Sequence, residues 1–163
     1  MNLRLATVAD IPLMIDLERA CPAAPHWTES QYRELFQAAG SGPERLVVVV
    51  KKELPAASVH TGTGAAPGLL GFLVARHLAP EWELENLVVA PAARRHGLGG
   101  QLLEAWLARA RETDSEAVFL EVRESNATAR NLYEKAGFQQ TGRRRGYYTD
   151  PPEDAILYRR SLV

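Results

Sequence analysis

At 163 residues the chain has the usual size of one domain, 1–163, and its 46% hydrophobic and 24% charged residues are ordinary for a globular protein. A formal net charge of -1 excludes a general electrostatic grip on nucleic acid, so any polyanion must be held locally. The start lacks a signal-peptide core, no stretch approaches the roughly 20 apolar residues that span a bilayer, Cys21 is alone, and His26, His60, His77 and His96 are too scattered for zinc; a cytoplasmic chain without disulfide or metal is expected.

Leu3-Arg4-Leu5-Ala6 alternates as a short edge strand, and Thr7-Val8-Ala9-Asp10 resembles a capping box opening a helix that runs toward Ala20 and ends at Cys21-Pro22. Thr28-Glu29-Ser30-Gln31 is a second capping box, with Gly40 expected to close its helix. Leu46 to Val50 is continuously apolar and β-branched, and Leu69 to Ala75 supplies a second strand, so the two predict a hairpin. The segment between them, Ala56 to Gly68, is rich in turn formers without periodicity and reads as a mobile loop. An apolar strand from Trp82 through Val89, a turn, and Leu98, Leu102, Leu103, Trp106, Leu107 and Ala110 at helical spacing predict strand, loop and amphipathic helix. Ala117 to Val122 follows as a strand, Asn126 to Ala136 as a helix stopped by Gly137, and two further strands end the chain. The order predicts a mixed α/β sheet with helices on both faces.

Arg94-x-x-Gly97-x-Gly99 lies between a strand and a helix, where unsatisfied helix-start amides favour an anion. Glycines at both positions allow close approach and φ values that other residues resist, while Arg94 and Arg95 add charge near a phosphate. A dinucleotide fingerprint would need glycine where Leu102 stands, and a P-loop would need Gly-Lys followed by Ser or Thr. On this fragment alone, two glycines that merely turn the chain into a helix read the same.

Three segments carry more. Leu87-Val88-Val89-Ala90-Pro91, then Arg94-Arg95-His96-Gly97-Leu98-Gly99, then Leu120-Glu121-Val122-Arg123-Glu124-Ser125-Asn126 through Ala129 and Leu132-Tyr133-Glu134-Lys135-Ala136-Gly137-Phe138 closely resemble the GNAT acetyltransferase superfamily. Pro25-His26-Trp27-Thr28 at the start and Arg144-Arg145-Gly146-Tyr147-Tyr148 with Glu153-Asp154-Ala155 at the end resemble its bacterial ribosomal-protein alanine N-acetyltransferase family. The resemblance implies a mostly antiparallel sheet of about seven strands with about four helices, splayed between the fourth and fifth strands. It further implies that the pantetheine arm of acetyl-CoA pairs with backbone at Leu87, Val88 and Val89. The pyrophosphate would sit on Arg95, His96, Gly97, Leu98, Gly99 and Gly100, and Asn126 would lie on the pantetheine side. Gly100 departs from a basic residue common there, leaving backbone donors.

Acetyl transfer to an amine needs a base for the amine and an acid for the departing thiolate. Glu121 interrupts an apolar strand, where a carboxylate is expected to lose hydration and so gain basicity; pairing with Arg123 or another arginine, to hold the sheet, is the structural alternative. The resemblance gives Glu121 as base and sets the Tyr133 hydroxyl beside the thioester sulfur; packing of Tyr133 in the core is its alternative. A phenol near pKa 10 gives its proton to a thiolate near 8.5 at a cost of roughly 2 kcal/mol. Glu83, on the neighbouring strand, would position water. An α-amine with a pKa near 8 suits a modest base better than a lysine near 10.4. Trp27, Tyr147 and Tyr148 would surround such an acceptor by resemblance, an N-terminal alanine of a small-subunit ribosomal protein, with another protein N-terminus or a small amine as the other possibility. Arg143-Arg144-Arg145 could steer an acidic peptide or form a solvated face. A monomer or weak dimer without metal, nucleic acid or membrane is expected.

Overall fold

Alternation and capping build the architecture of a computed structural model that describes residues 1–38, 40–52 and 68–163. Among the described residues there are seven strands: β1 (Asn2–Leu5), β2 (Arg45–Lys51), β3 (Leu69–Leu78), β4 (Glu81–Val89), β5 (Ala117–Arg123), β6 (Gln139–Thr149) and β7 (Pro152–Ser161). Four α-helices accompany them: α1 (Ile11–Arg19), α2 (Glu29–Glu34), α3 (Leu98–Glu112) and α4 (Ala127–Lys135). No helix among the described residues is long and apolar enough to cross a membrane. The loop read over 56–68 lies, apart from Gly68, outside the described residues.

One sheet runs in the order β1-β2-β3-β4-β5-β7-β6, and its neighbours are antiparallel except for the parallel pair β4 and β5. The unbroken apolar run of β2 is explained by burial on both faces. Leu46, Val48 and Val50 enter a core beneath α3 and α4, whereas Val47 and Val49 enter a second core beneath α1 and α2. The stripe Leu98, Leu102, Leu103, Trp106, Leu107 and Ala110 is at most 2% exposed and seats α3 on the first core, each large side chain contributing about 2 kcal/mol. Leu17, Met14 and Ile11 do the same for α1 on the second.

Both expected helix starts are capped, in different ways. Thr28 Oγ1 accepts from the Gln31 N–H at 3.2 Å and Gln31 Oε1 accepts from the Thr28 N–H at 2.8 Å, a complete box. At the first, the Asp10 carboxylate accepts from the Thr7 N–H at 2.9 Å, and a 3-10 turn, Val8–Asp10, precedes α1. Asp10 is buried and paired with Arg4 and Lys51, which hold its carboxyl well below the usual carboxylate range and tie β1 and β2 to the start of α1. The second helix is shorter than expected: α2 ends at Glu34, well before Gly40. The chain continues in tight turns, Phe36 N–H to Arg33 and Gln37 N–H to Glu34, because Leu35 and Phe36 are drawn onto the second core.

A bulge in β4 divides that strand between the two cores. Val74 pairs with Asn86 and Ala75 with Leu84, which leaves Glu85 as an extra residue. Trp82 and Leu84 therefore enter the first core, while beyond the bulge Asn86 and Val88 turn to the α1 and α2 side.

Candidate active site

The sheet opens at the one parallel pair among the described residues. Ladder partners join Glu81 to Ala117, Trp82 to Val118 and Glu83 to Phe119, and then stop, although β4 continues to Val89 and β5 to Arg123. From Leu84 onward the backbone groups of β4 that face β5 have no strand partner among the described residues, the state of a sheet edge that can receive an extended ligand. Leu87 and Val89 pack their side chains against the α3 core, and Val88 is buried on the opposite face. The open edge is thus held rigidly from both sides. At its end the Val89 carbonyl accepts from Arg94 Nε at 3.2 Å, and another nitrogen of that guanidinium lies 3.7 Å from the Cys21 sulfur. Arg94 is therefore turned back onto β4, with its guanidinium at the start of the loop.

The loop beyond β4 makes a 3-10 turn, Pro91–Ala93, and passes through positive φ at Arg95 (64°) and Gly97 (77°) into α3. The Leu98, Gly99 and Gly100 N–H groups open α3 and have no intrahelical acceptor, so they form a donor set at the positive end of the helix dipole. The two motif glycines serve different ends. Gly97 supplies the left-handed turn, whereas Gly99 lies inside the helix and is needed because a Cβ there would stand 2.9 Å from Leu132 Cδ2 on α4. Nothing crowds Gly100 within 4 Å of a built Cβ. The His96 ring is held locally, 2.8 Å from the Arg94 carbonyl.

Asn126 caps α4, its side-chain oxygen accepting from the Ala129 N–H at 3.2 Å, which leaves the amide nitrogen as its remaining donor. Two turns on, Tyr133 is buried with its ring 6.0 Å from that of Phe138 and 6.3 Å from that of Tyr158. Its hydroxyl makes no hydrogen bond among the described residues, carbonyls included. Burial, and next the neighbouring Tyr148, raise its pKa above the ordinary phenol range.

Glu121 is not the isolated carboxylate in apolar surroundings that its strand suggests. Val118, Leu120 and Val122 take the buried face of β5, so Glu121 points to the other face, where α1 and α2 do not cover the strand. There it is 16% exposed and paired with Arg144 Nε at 2.9 Å. A shallow concavity of about 200 Å³ beside it is lined by Phe119, Thr141, Arg144 and Leu157. Tyr147 is half exposed, and the Glu121 charge is the first cause of its raised pKa. Tyr148, under the Arg123 guanidinium at 4.1 Å, is pushed up to about 12, first by burial.

Glu121, Tyr147 and Tyr148 are therefore electrostatic neighbours, and Tyr148 in turn neighbours Tyr133. Glu83 is clasped by Arg76 at 2.5 Å, and its charge also reaches Tyr147, adding to that of Glu121. Trp27 stands in the turn before α2, its ring 5.5 Å from Tyr32 and its backbone N–H donated to Glu18 at 2.5 Å. Glu18 and Asn86 are the neighbours that the sequence reading missed, whereas the pairing of Glu121 with an arginine other than Arg123 is the structural alternative it named. Glu18 is 1% exposed and accepts from Trp27, from the Tyr32 hydroxyl and from Asn86 Nδ2 at 2.9 Å. The available signal for Asn86 was its phase: it stands where the alternation of β4 puts Trp82, Leu84 and Val88, a polar residue in an apolar position.

Comparison with known proteins agrees with this geometry. The Escherichia coli ribosomal-protein-S18-alanine N-acetyltransferase crystal structure superposes with a TM-score of 0.73 at 28% identity, covering 99% of this chain and 93% of that one. A Bacillus subtilis (strain 168) protein named as a putative ribosomal protein bS18-alanine N-acetyltransferase is 30% identical over 156 residues, 96% of this chain and 90% of that protein. The Escherichia coli (strain K12) ribosomal protein bS18-alanine N-acetyltransferase is 40% identical over 91 residues, 55% of this chain and 62% of that protein. A family model for GNAT acetyltransferases matches residues 11–138, which span the second core, the opened sheet, the glycine turn and the helix carrying Tyr133. With sheet, turn and sequence in agreement, this chain belongs to the acetyltransferase (GNAT) family.

Proposed function

We propose that this enzyme transfers the acetyl group of acetyl-CoA to the N-terminal alanine of a ribosomal protein, with Glu121 as base and Tyr133 as acid. The observation that carries the reading is the opening between β4 and β5, which begins where their ladder stops after three pairs, with Glu121 on β5 and the buried, unpartnered Tyr133 hydroxyl on α4. A pantetheine arm fits there as an added strand against Leu87 to Val89, once Arg94 yields the Val89 carbonyl. The diphosphate fits the amides from Arg95 to Gly100 at the start of α3.

In this reading Glu121 takes a proton from the acceptor ammonium, the neutral nitrogen attacks the acetyl carbonyl, and the carbon–sulfur bond breaks. The sulfur receives its proton from Tyr133, whose burial keeps the phenol protonated until a thiolate forms beside it. The same burial makes that transfer more uphill than for a solvated phenol, so it must be coupled to bond cleavage. Tyr147 and Tyr148 would line the acceptor, and Trp27, held through Glu18, would close its far side. The names of the bS18-specific relatives support a ribosomal acceptor.

Incubation with acetyl-CoA and peptides that differ only in their first residue, read by mass spectrometry, tests the acceptor. Alanine should be acetylated at least tenfold faster than a bulky first residue, by about 1.4 kcal/mol of discrimination. Turnover of a free polyamine with none of any peptide would rule the assignment out, and equal rates for all first residues would assign a broader set of protein N-termini.

A further inference from the structure

Arg143, Arg144 and Arg145 are consecutive on β6, yet the strand deals with them separately. Arg143 is fixed between Glu124 and Asp154, at 2.6 and 2.9 Å. The ladder then swells: Arg144 pairs with Ala155 and Tyr148 with Glu153, so that Arg145, Gly146 and Tyr147 stand against the single residue Asp154. Gly146 takes φ +60°, and its N–H donates to Asp154 at 2.8 Å. Asp154 thus pins both flanks, and Arg144, between them, is laid on Glu121. The register agrees, since Arg144 and Arg123 both pair with Ala155 and so share the face of Glu121.

The other charges near Glu121 are engaged elsewhere. Arg123 lies over the Tyr148 ring and 3.9 Å from Glu153, Glu83 is held by Arg76, and Arg159 is held by Glu81. Arg144 is therefore the cation that neutralises Glu121. It is the looser partner, 56% exposed against 16%, and it already stands 5.6 Å from the Tyr147 ring, a face on which a displaced guanidinium can rest.

We propose that Arg144 is a placeholder for the acceptor's ammonium: it pairs with Glu121 between turnovers, yields to the entering amine, and returns when the amine has become a neutral amide. The proposal rests on reading Glu121 as the base. Exchange of one cation for another leaves the carboxylate compensated throughout. The nitrogen then sheds two protons. One restores the proton that Tyr133 gives to the sulfur, and the other leaves through Glu121 to solvent, which regenerates the carboxylate for Arg144. The acetylated product carries no charge at the amide, so the returning guanidinium displaces it. Arg144 is on this account a positioning residue, not a catalytic one.

The experiment measures binding of the acetylated alanine-first peptide by calorimetry, and peptide KM by steady-state kinetics. R144Q removes the competitor: the acetylated peptide should bind about fivefold more tightly and peptide KM should fall about fivefold, the size of a half-exposed ion pair. The KM for acetyl-CoA should stay within about twofold, and R144K, which keeps the cation but not the planar stack, should move both quantities less than R144Q does. In the E121Q background there is nothing for Arg144 to hold, so R144Q should leave the affinity for acetylated peptide unchanged. A rise in peptide KM in R144Q, no change in either quantity, or simple additivity of E121Q and R144Q would overturn the placeholder. Full turnover by E121Q would instead overturn the catalytic reading, and the binding cycle distinguishes the two failures.

Discussion

A buried phenol with no acceptor and a carboxylate with a borrowed cation divide the proposed chemistry between two residues on opposite sides of one sheet. Y133F deletes a hydroxyl that holds nothing in place, so the protein should keep its melting temperature within about 2 °C. Its kcat should drop about hundredfold or more, the usual yield of a positioned acid, as should that of E121Q. Acetyl-CoA affinity, measured by calorimetry, should change less than about threefold in both variants; a loss of binding equal to the loss of rate would remove Tyr133 and Glu121 from the chemistry. The sequence marks Glu121 because it breaks an apolar strand, a signal that carries no information about what surrounds the carboxylate. Its strand neighbours face the other way, and the residue that decides its surroundings, Arg144, arrives on a different strand through pairing that no local pattern records.

At the level of elements, the turn into α3 separates two uses of glycine. G97A places a side chain at φ 77°, at a cost of about 1 kcal/mol in the loop itself, and should raise the KM for acetyl-CoA several-fold because the donor set shifts. G99A meets a flexible leucine tip at 2.9 Å and should lower the melting temperature by about 3 °C with little change in cofactor affinity. Trimming that tip with L132A should add less to G99A than to the parent protein, as thermal melts of the four proteins would show; equal losses would place the clash elsewhere. The strands, the α3 stripe, the complete cap at Thr28 and the stop at Gly137 were all legible, since each depends on neighbours within one turn or one pleat. The bulges were not. One extra residue at Glu85, or two among Arg145 to Tyr147, leaves the alternation of its own strand plausible, and only the partner strand reveals the mismatch. Gly40 misled for a related reason: α2 is ended earlier by Leu35 and Phe36 docking on the second core.

Taken whole, the molecule withholds its phenols from alkali. All five tyrosines have raised pKa values. Burial leads at Tyr32, Tyr133, Tyr148 and Tyr158, and the charge of Glu121 at Tyr147. A raised phenol pKa means that the folded state binds the proton more tightly than the unfolded chain. The stabilisation is therefore complete below about pH 10 and is lost as pH rises through the folded values, about 12 at Tyr148. Phenolate absorbance should stay well under that of five free tyrosines at about pH 11 while the protein is folded, and denaturant midpoints should decline from about pH 10 upward. Ordinary ionisation at about pH 10 with the fold intact would contradict this.

The three-pair junction of β4 and β5 acts, in mechanical terms, like the short spine of a book. Beyond Glu83 no ladder pair joins the boards among the described residues, so a change in their angle is resisted by side-chain packing, chiefly in the core beneath α3 and α4. The gape can therefore adjust to the bulk lodged in it without unzipping any ladder, and the alignment of Glu121 with Tyr133 depends on how firmly that one layer of leucines and Trp106 holds the covers together.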